Sequence, residues 1–267
     1  MKKILIACCA LWLFSSCGEY YKVQKSYDPE ERYSYAKKYY NEKKYSRVVT
    51  LMEDIVQSFA RTSEGPQSAY LLADSYMNLG RLDEASKMFQ DYYISYPQAP
   101  MVEDAHYKAG LCLYRLSPDP KLDQTDTYGA IKELESYLEF YPKGAHREEV
   151  EGMLFSLQDK LAYKEYLSAK LYYDMGLYLG NNYQSAVITA QNALKDFPYT
   201  RHREELLFII LSAKSDEALM SVLDKQQMRL REAIDYYYTY VNEFPEGKYL
   251  KDAKRIYEKV SAQLHKD

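Results

Sequence analysis

Between Pro66 and Pro97 the chain carries one complete helix–turn–helix block of about 34 residues, and that block limits what the rest can become. Ala73 is small where two helices have to cross closely. Gly80, after Asn78 and Leu79, stands where the turn needs a backbone with φ > 0 and therefore no Cβ. Leu82 and Ala85 open the second helix, and Phe89 and Tyr92 continue its apolar face four and seven residues on. Pro97 ends it, lacking an N–H and clashing with the preceding turn. One such pair cannot bury its own apolar face, so several must stack.

Ala73, Tyr76, Gly80, Ala85, Phe89 and Pro97 have the spacing of a tetratricopeptide repeat, and further copies flank them. Asp28-Pro29-Glu30-Glu31 predicts a helix start, with Pro in the first turn and acids against the dipole. Ala36, Tyr39, Tyr45, Val48, Met52 and Ile55 then repeat the pattern, with Lys43 at the glycine position and Ala60 at the proline position. A third copy starts near Glu103 and includes Gly110, Leu113, Ala130, Leu134, Tyr137 and Pro142. About eight extra residues around Ser117-Pro118-Asp119-Pro120 read as a loop.

Four aromatic–proline pairs mark helix ends: Tyr96-Pro97, Tyr141-Pro142, Phe197-Pro198 and Phe244-Pro245. Eight residues past each proline stands an apolar residue (Ala105, Val150, Leu206, Ala253), preceded by an acid (Asp104, Glu149, Glu205, Asp252). These acids are read as helix-dipole partners, not catalytic carboxylates. The interval from Pro142 to Pro198 leaves room for three helices. Its stripes are Val150, Met153, Leu154, Leu157 and Leu161, then Tyr166, Ala169, Leu171, Tyr172 and Tyr173, then Tyr183, Ala186, Ala190 and Ala193 after a Gly180-Asn181-Asn182 turn. A long helix is expected from Glu204, thinning at Asp224-Lys225-Gln226-Gln227. Ala253, Ile256, Tyr257, Val260 and Leu264 form a last helix with a charged outer face, suited to capping the stack.

The first residues are of a different kind. Lys2-Lys3, the apolar run Ile4 to Phe14 and Ser15-Ser16-Cys17 form a signal peptide too short to span a bilayer. Small residues before a Cys at the end of such a run resemble the lipobox of bacterial lipoproteins. That resemblance implies a diacylglycerol and an N-acyl chain (palmitate) on Cys17 as the new first residue. An ordinary cleavage near Ser16 or a retained anchor are the alternatives. Gly18 in place of an inner-membrane retention Asp favours the outer membrane, facing either the periplasm or the surface. Residues 17–28 read as a polar tether without helical period. Cys8 and Cys9 leave with the leader, so Cys112 is the one remaining thiol. No disulfide framework is available, and helix packing must supply cohesion. Losing Lys2 and Lys3 takes the formal charge from −4 to −6, and an acidic chain without a basic run argues against nucleic acid.

No catalytic constellation is present. His106, His146, His202 and His265 are scattered, Cys112 has no partner at metal spacing, and no phosphate-binding glycine loop or nucleophile elbow occurs. Function is therefore expected on a surface, without cofactor or metal. In tetratricopeptide stacks the first helix of each pair lines the concave face at repeat positions 2, 5, 9 and 12. Counting Ala36, Ala73 and Gly110 as position 8 selects Tyr33, Lys37 and Tyr40, then Tyr70, Asp74 and Met77, then Tyr107, Leu111 and Tyr114. Tyr at position 5 in all three copies suits an extended apolar or aromatic peptide. Alternatively these tyrosines pack against the neighbouring pair, as most of the 31 Tyr in the chain should, ring inside and hydroxyl wet.

Together these features predict an all-α, right-handed α-solenoid of about five tetratricopeptide-like pairs with a C-terminal capping helix. The combination resembles the outer-membrane protein assembly lipoprotein family BamD (YfiO). The nearest local match is Leu161-Ala162-Tyr163-Lys164-Glu165, Ala169, Tyr172-Tyr173, Tyr183, Ala186, Leu194 and Phe197-Pro198-Tyr199-Thr200, with the Gly180-Asn181-Asn182 region as an extra stretch. The resemblance implies a non-enzymatic, lipid-anchored, periplasm-facing subunit of the β-barrel assembly machine. Residues 29–145 would hold repeats one to three and receive unfolded outer-membrane proteins. Residues 146–267 would hold repeats four and five with the cap, and dock on the periplasmic repeat domains of the barrel-forming subunit, alongside other assembly lipoproteins. Two other classes stand beside it: an envelope scaffold coordinating cell-wall synthesis or division, and a glycan-binding uptake lipoprotein. The latter is disfavoured because the single Trp, Trp12, lies in the leader.

Overall fold

The computed structural model describes residues 18–265. The signal peptide (1–16) and the lipidation expected at Cys17 lie outside the described residues. Every regular element among the described residues is helical. A short helix α1 (18–24) precedes α2 (Pro29–Asn41), α3 (Tyr45–Met52), a 3₁₀ turn (Val56–Phe59), α4 (Gly65–Asn78), α5 (Leu82–Ser95), α6 (Val102–Leu116) and α7 (Thr125–Phe140). Then follow α8 (Arg147–Met175), α9 (Asn182–Asp196), α10 (Arg203–Leu219), α11 (Leu223–Glu243) and α12 (Leu250–Leu264). Among the described residues this is the expected all-α solenoid architecture: five helix pairs, α2/α3 to α10/α11, and a final single helix.

The chain divides into two compact units, Met1–Pro118 with Thr125–Met153, and Asp119–Gln124 with Leu154–Asp267. The break expected at 145/146 lies before α8, whereas these units part between Met153 and Leu154, inside α8. In the first unit, Tyr33, Ala36, Leu51, Leu72, Ala73, Ala85, Phe89 and Ala109 form one buried core. In the second, Ala186, Ala190, Leu206, Ile210, Leu211, Tyr240 and Ala253 do the same. Alanines at the crossings let backbones approach, and the larger side chains fill the space on either side.

Local signals account for the helix ends. Asp28 caps α2, its carboxylate accepting from Glu30 N–H at 3.0 Å, with Pro29 in the first turn. Gly80 takes φ +75° after α4, and Lys43 at the equivalent turn takes +58°. Acids occupy the first turns of α6, α8, α10 and α12, as expected of dipole partners.

Three readings need correcting. The stretch expected to be a tether is helical over 18–24. Val23 is buried in the first unit's core, Tyr20 meets Tyr39 edge-on at 5.8 Å, and Glu19 accepts from Tyr35 Oη at 2.9 Å and Lys38 Nζ at 3.2 Å. Seven residues are too few to show a period. Second, the stripes at Val150–Leu161 and Tyr166–Tyr173 belong to one 29-residue helix, because no Gly, Pro or Asn interrupts residues 153–174. Third, the helix from Glu204 ends at Leu219. Asp224 to Gln227 begin α11 after a break at Met220–Val222.

Candidate polypeptide-binding groove

Two of the aromatic–proline turns bring together a tyrosine near the end of a pair's second helix, the turn backbone, and an acid in the first turn of the same pair's first helix. At Tyr141-Pro142, Tyr137 Oη donates to Glu103 Oε1 at 2.9 Å, Ala145 N–H donates to the same oxygen at 2.7 Å, and His146 N–H donates to Tyr137 Oη at 3.2 Å. At Phe244-Pro245 the set recurs with Tyr240 Oη to Glu204 Oε1 (2.7 Å), Tyr249 N–H to Glu204 (3.3 Å) and Tyr249 N–H to Tyr240 Oη (3.2 Å). The side chain after each turn stacks on a ring four residues past the acid: His146 on Tyr107 at 3.8 Å and 8°, Tyr249 on Phe208 at 4.4 Å and 6°. At Phe197-Pro198 an alanine, Ala193, holds the tyrosine position. Thr200 Oγ1 donates to Asp159 Oδ1 at 2.7 Å instead, with Arg201 N–H at 2.8 Å and His202 against Tyr163.

The turn at Tyr96-Pro97 is built differently. Counting back from Tyr92, the counterpart of Tyr137, puts Pro66 where the acid stands and Pro100 where Ala145 supplies its N–H. Neither proline can serve: one has no carboxylate, the other no backbone donor. Tyr92 still accepts the N–H of Met101, but no acid of α4 receives the turn, which is held instead by Tyr96 Oη donating to Ala60 O at 3.2 Å just before α4. Here a cavity of about 570 Å³ opens, lined by Lys37, Tyr40 and Asn41 of α2, Pro66, Gln67, Tyr70 and Leu71 of α4, and Ser63, Tyr92, Pro100 and Met101.

One wall is held by a ladder of charge-assisted hydrogen bonds. Tyr40 Oη donates to Asp74 Oδ2 at 2.7 Å, Lys108 Nζ donates to Asp74 Oδ1 at 2.7 Å and to Tyr70 Oη at 2.6 Å, and Tyr70 Oη donates to Asp104. Three of these contacts join residues 34 apart, so the ladder repeats with the fold. Burial opposes the Lys108 charge, but Asp74 and Asp104 outweigh it and hold the ammonium above its ordinary range. Burial first, then the carboxylates, push the Tyr40 and Tyr70 phenols far upward, so both remain donors. With their hydroxyls engaged, what the tyrosines offer the cavity is ring surface. Gln67, Asn41 and Ser63 add polar groups able to meet a peptide backbone, and Lys37 stands at the rim, 3.7 Å from Glu64.

Of the nine residues singled out by register, Lys37, Tyr40 and Tyr70 line the cavity and Asp74 braces it. Tyr33 is elsewhere: its ring is 0% exposed against Phe59, with Lys37 Nζ 4.2 Å above it. Tyr107 is 6% exposed and stacked on His146. Met77 is half-buried against the core of the first unit, and Leu111 and Tyr114 are half-buried on α6. The aromatic file at position 5 therefore faces the cavity only at Tyr70. Register missed Lys108, whose Asp104 partner at i−4 was the available signal, and it missed the paired prolines at 66 and 100. It also missed the spacing Tyr–x₃–aromatic–Pro–x–Gly shared by Tyr137–Gly144 and Tyr240–Gly247.

No group of three or more His, Cys, Asp or Glu among the described residues is placed to hold a metal. Cys112 is buried, and burial pushes its thiol up to about 11, which makes it a packing residue. The chain matches the profile of the family YfiO, outer membrane lipoprotein, over residues 25–228, about three quarters of its length. It belongs to that family. Comparison with the curated proteins gave no match. Among solved structures, two of a Podosopora anserina kinesin light chain with nearly identical TPR-like repeats are similar in arrangement. One is 15% identical over 79% of this chain and 94% of the other, the second 13% identical over 91% and 100%, each with a TM-score of 0.32.

Proposed function

We propose that the groove between α2, α4 and the Tyr96-Pro97 turn holds an extended segment of an unfolded outer-membrane protein. In this reading the chain is a non-enzymatic subunit of the β-barrel assembly machine, anchored through acyl chains on Cys17 at the periplasmic face of the outer membrane. The observation that carries it is the 570 Å³ cavity at the one aromatic–proline turn lacking an acid tie. Its ring faces, Leu71 and Met101 accept apolar side chains, while Gln67 and Asn41 meet the backbone. Membership in an outer-membrane lipoprotein family supplies the setting. The second unit is proposed to dock on the periplasmic repeat domains of the barrel-forming subunit, with other assembly lipoproteins beside it.

The test is a photo-crosslinking amino acid at Gln67 or Met101, both exposed on the groove. Crosslinks to nascent barrel proteins are the expected result, with none from the same group at Tyr199. Equal crosslinking from all three positions would remove the groove from the account.

A further inference from the structure

Beyond the groove, the second unit carries an apolar tip with no task in the reading above. Residues 175–194 contain no charged side chain in a chain that is 28% charged, and residues 218–223 contain none either. The fold sets these segments side by side. Asn181 Nδ2 donates to Glu217 Oε1 at 2.7 Å, Tyr173 Oη donates to Asp216 Oδ2 at 2.8 Å, and Tyr183 Oη lies 3.9 Å from Met220 Sδ. From these joined loops project Leu177 (53% exposed), Tyr178 (67%), Leu179 (89%), Met220 (60%), Val222 (68%) and Leu223 (76%).

The backbone is bent to keep them there. Gly176 at φ +55°, Leu179 at +56° and Gly180 at +147° put three left-handed residues within five, and a leucine pays for such a conformation with strain. Gly176 is also the close-approach point, where a Cβ would sit 3.0 Å from Tyr183 Oη. The strained leucine is the most exposed large side chain of the tip.

Most charge at the base is paired, Lys170 with Asp174 at 2.7 Å, Arg229 with Glu217 at 3.3 Å and Asp224 beside Lys225 in sequence, while Asp216 accepts from Tyr173 Oη. A tip with leucines, a tyrosine and a methionine outward and no charged side chain among them complements an uncharged, low-dielectric medium. A polar or charged protein surface would leave it nothing to pair with. Tyrosine beside leucine is what a bilayer interface accommodates, whereas a charged side chain at depth is costly. We infer that the Leu177–Leu179 and Met220–Leu223 loops dip into the acyl boundary of a lipid bilayer, giving this outer-membrane lipoprotein a membrane contact additional to its acyl anchor.

The experiment uses the full lipidated chain in phosphatidylcholine–phosphatidylethanolamine vesicles, with an environment-sensitive fluorophore on Leu179→Cys and, as control, on Tyr199→Cys beyond the far end of α9. The expected result is a blue-shifted label at 179, quenched several-fold by lipids carrying a quencher just below the headgroup, unchanged by raising salt, while 199 stays in water. Adding Leu177→Asp should return the label at 179 to water with helix content unchanged. A label at 179 that reports water on these vesicles overturns the proposal. Shielding that arises only after envelope proteins are added also overturns it, in favour of a protein partner.

Discussion

The turns at Tyr96-Pro97 and Tyr141-Pro142 belong to adjacent pairs of the same unit, yet one borders an open cavity and the other is tied by an acid. At the tied turn, Glu103 gathers a phenol and a backbone N–H, and Gly144 is required because a Cβ there would lie 2.5 Å from Tyr137 Oη and 2.7 Å from Glu103 Oε1. At the open turn, Pro66, Ala99 and Pro100 replace Glu103, Gly144 and Ala145. The difference shows how a repeat scaffold opens a cavity by omitting an acid tie, here through two prolines.

The largest effect should come from mistaking a packing tyrosine for a binding one. Tyr33→Ala removes a fully buried ring and should cost about 3–5 kcal/mol, read as a lowered denaturant midpoint. Tyr107→Ala should behave similarly. Next, Gly144→Ala and Gly247→Ala force a methyl into the tied turns and should each cost about 1–3 kcal/mol. Ala99→Gly, at the open turn, should change stability by less than about 1 kcal/mol. Equal effects at the three positions would erase the distinction between the turns.

A smaller effect concerns His106, which stacks on Tyr93 at 4.2 Å with Nε2 3.6 Å from Glu133. Burial lowers its imidazole to about 4, against about 6.5 for an unperturbed histidine. Between those values the unfolded chain binds a proton that the native state refuses. This contribution is therefore whole above about pH 6.5 and is lost as pH falls toward 4, by about 2–3 kcal/mol at most. Glu133, raised by burial, acts with the opposite sign. His106→Phe keeps the stack and should flatten the dependence of Tm on pH between 4 and 6.5. Smallest in stability is Met101→Ala at the groove rim, expected to shift the midpoint by less than about 0.5 kcal/mol while weakening peptide binding several-fold.

Much of this architecture was legible because its signals are local. Gly80, the aromatic–proline pairs and the small residues at Ala73 and Ala85 each state a backbone requirement that nothing distant overrides. The continuity of α8 was not legible, since two stripes with a phase shift resemble two helices. The groove was legible in outline only. Register says which positions of a helix share a face, but not whether the turn that closes the pair folds over that face, as Phe59 does over Tyr33 and His146 over Tyr107. Nor does wetness follow from composition: many tyrosines that pack by their rings bond their hydroxyls to acids of the adjoining pair, as at Tyr40–Asp74 and Tyr173–Asp216.

The most direct test is to build the missing tie. Pro66→Glu combined with Pro100→Ala restores the acid and the backbone donor of the tied turns at the open one. The expected result is a higher Tm together with at least a tenfold loss of affinity for an unfolded barrel-protein peptide, measured by titration on the folded protein. A stabilised variant that binds the peptide as tightly as the parent would contradict it.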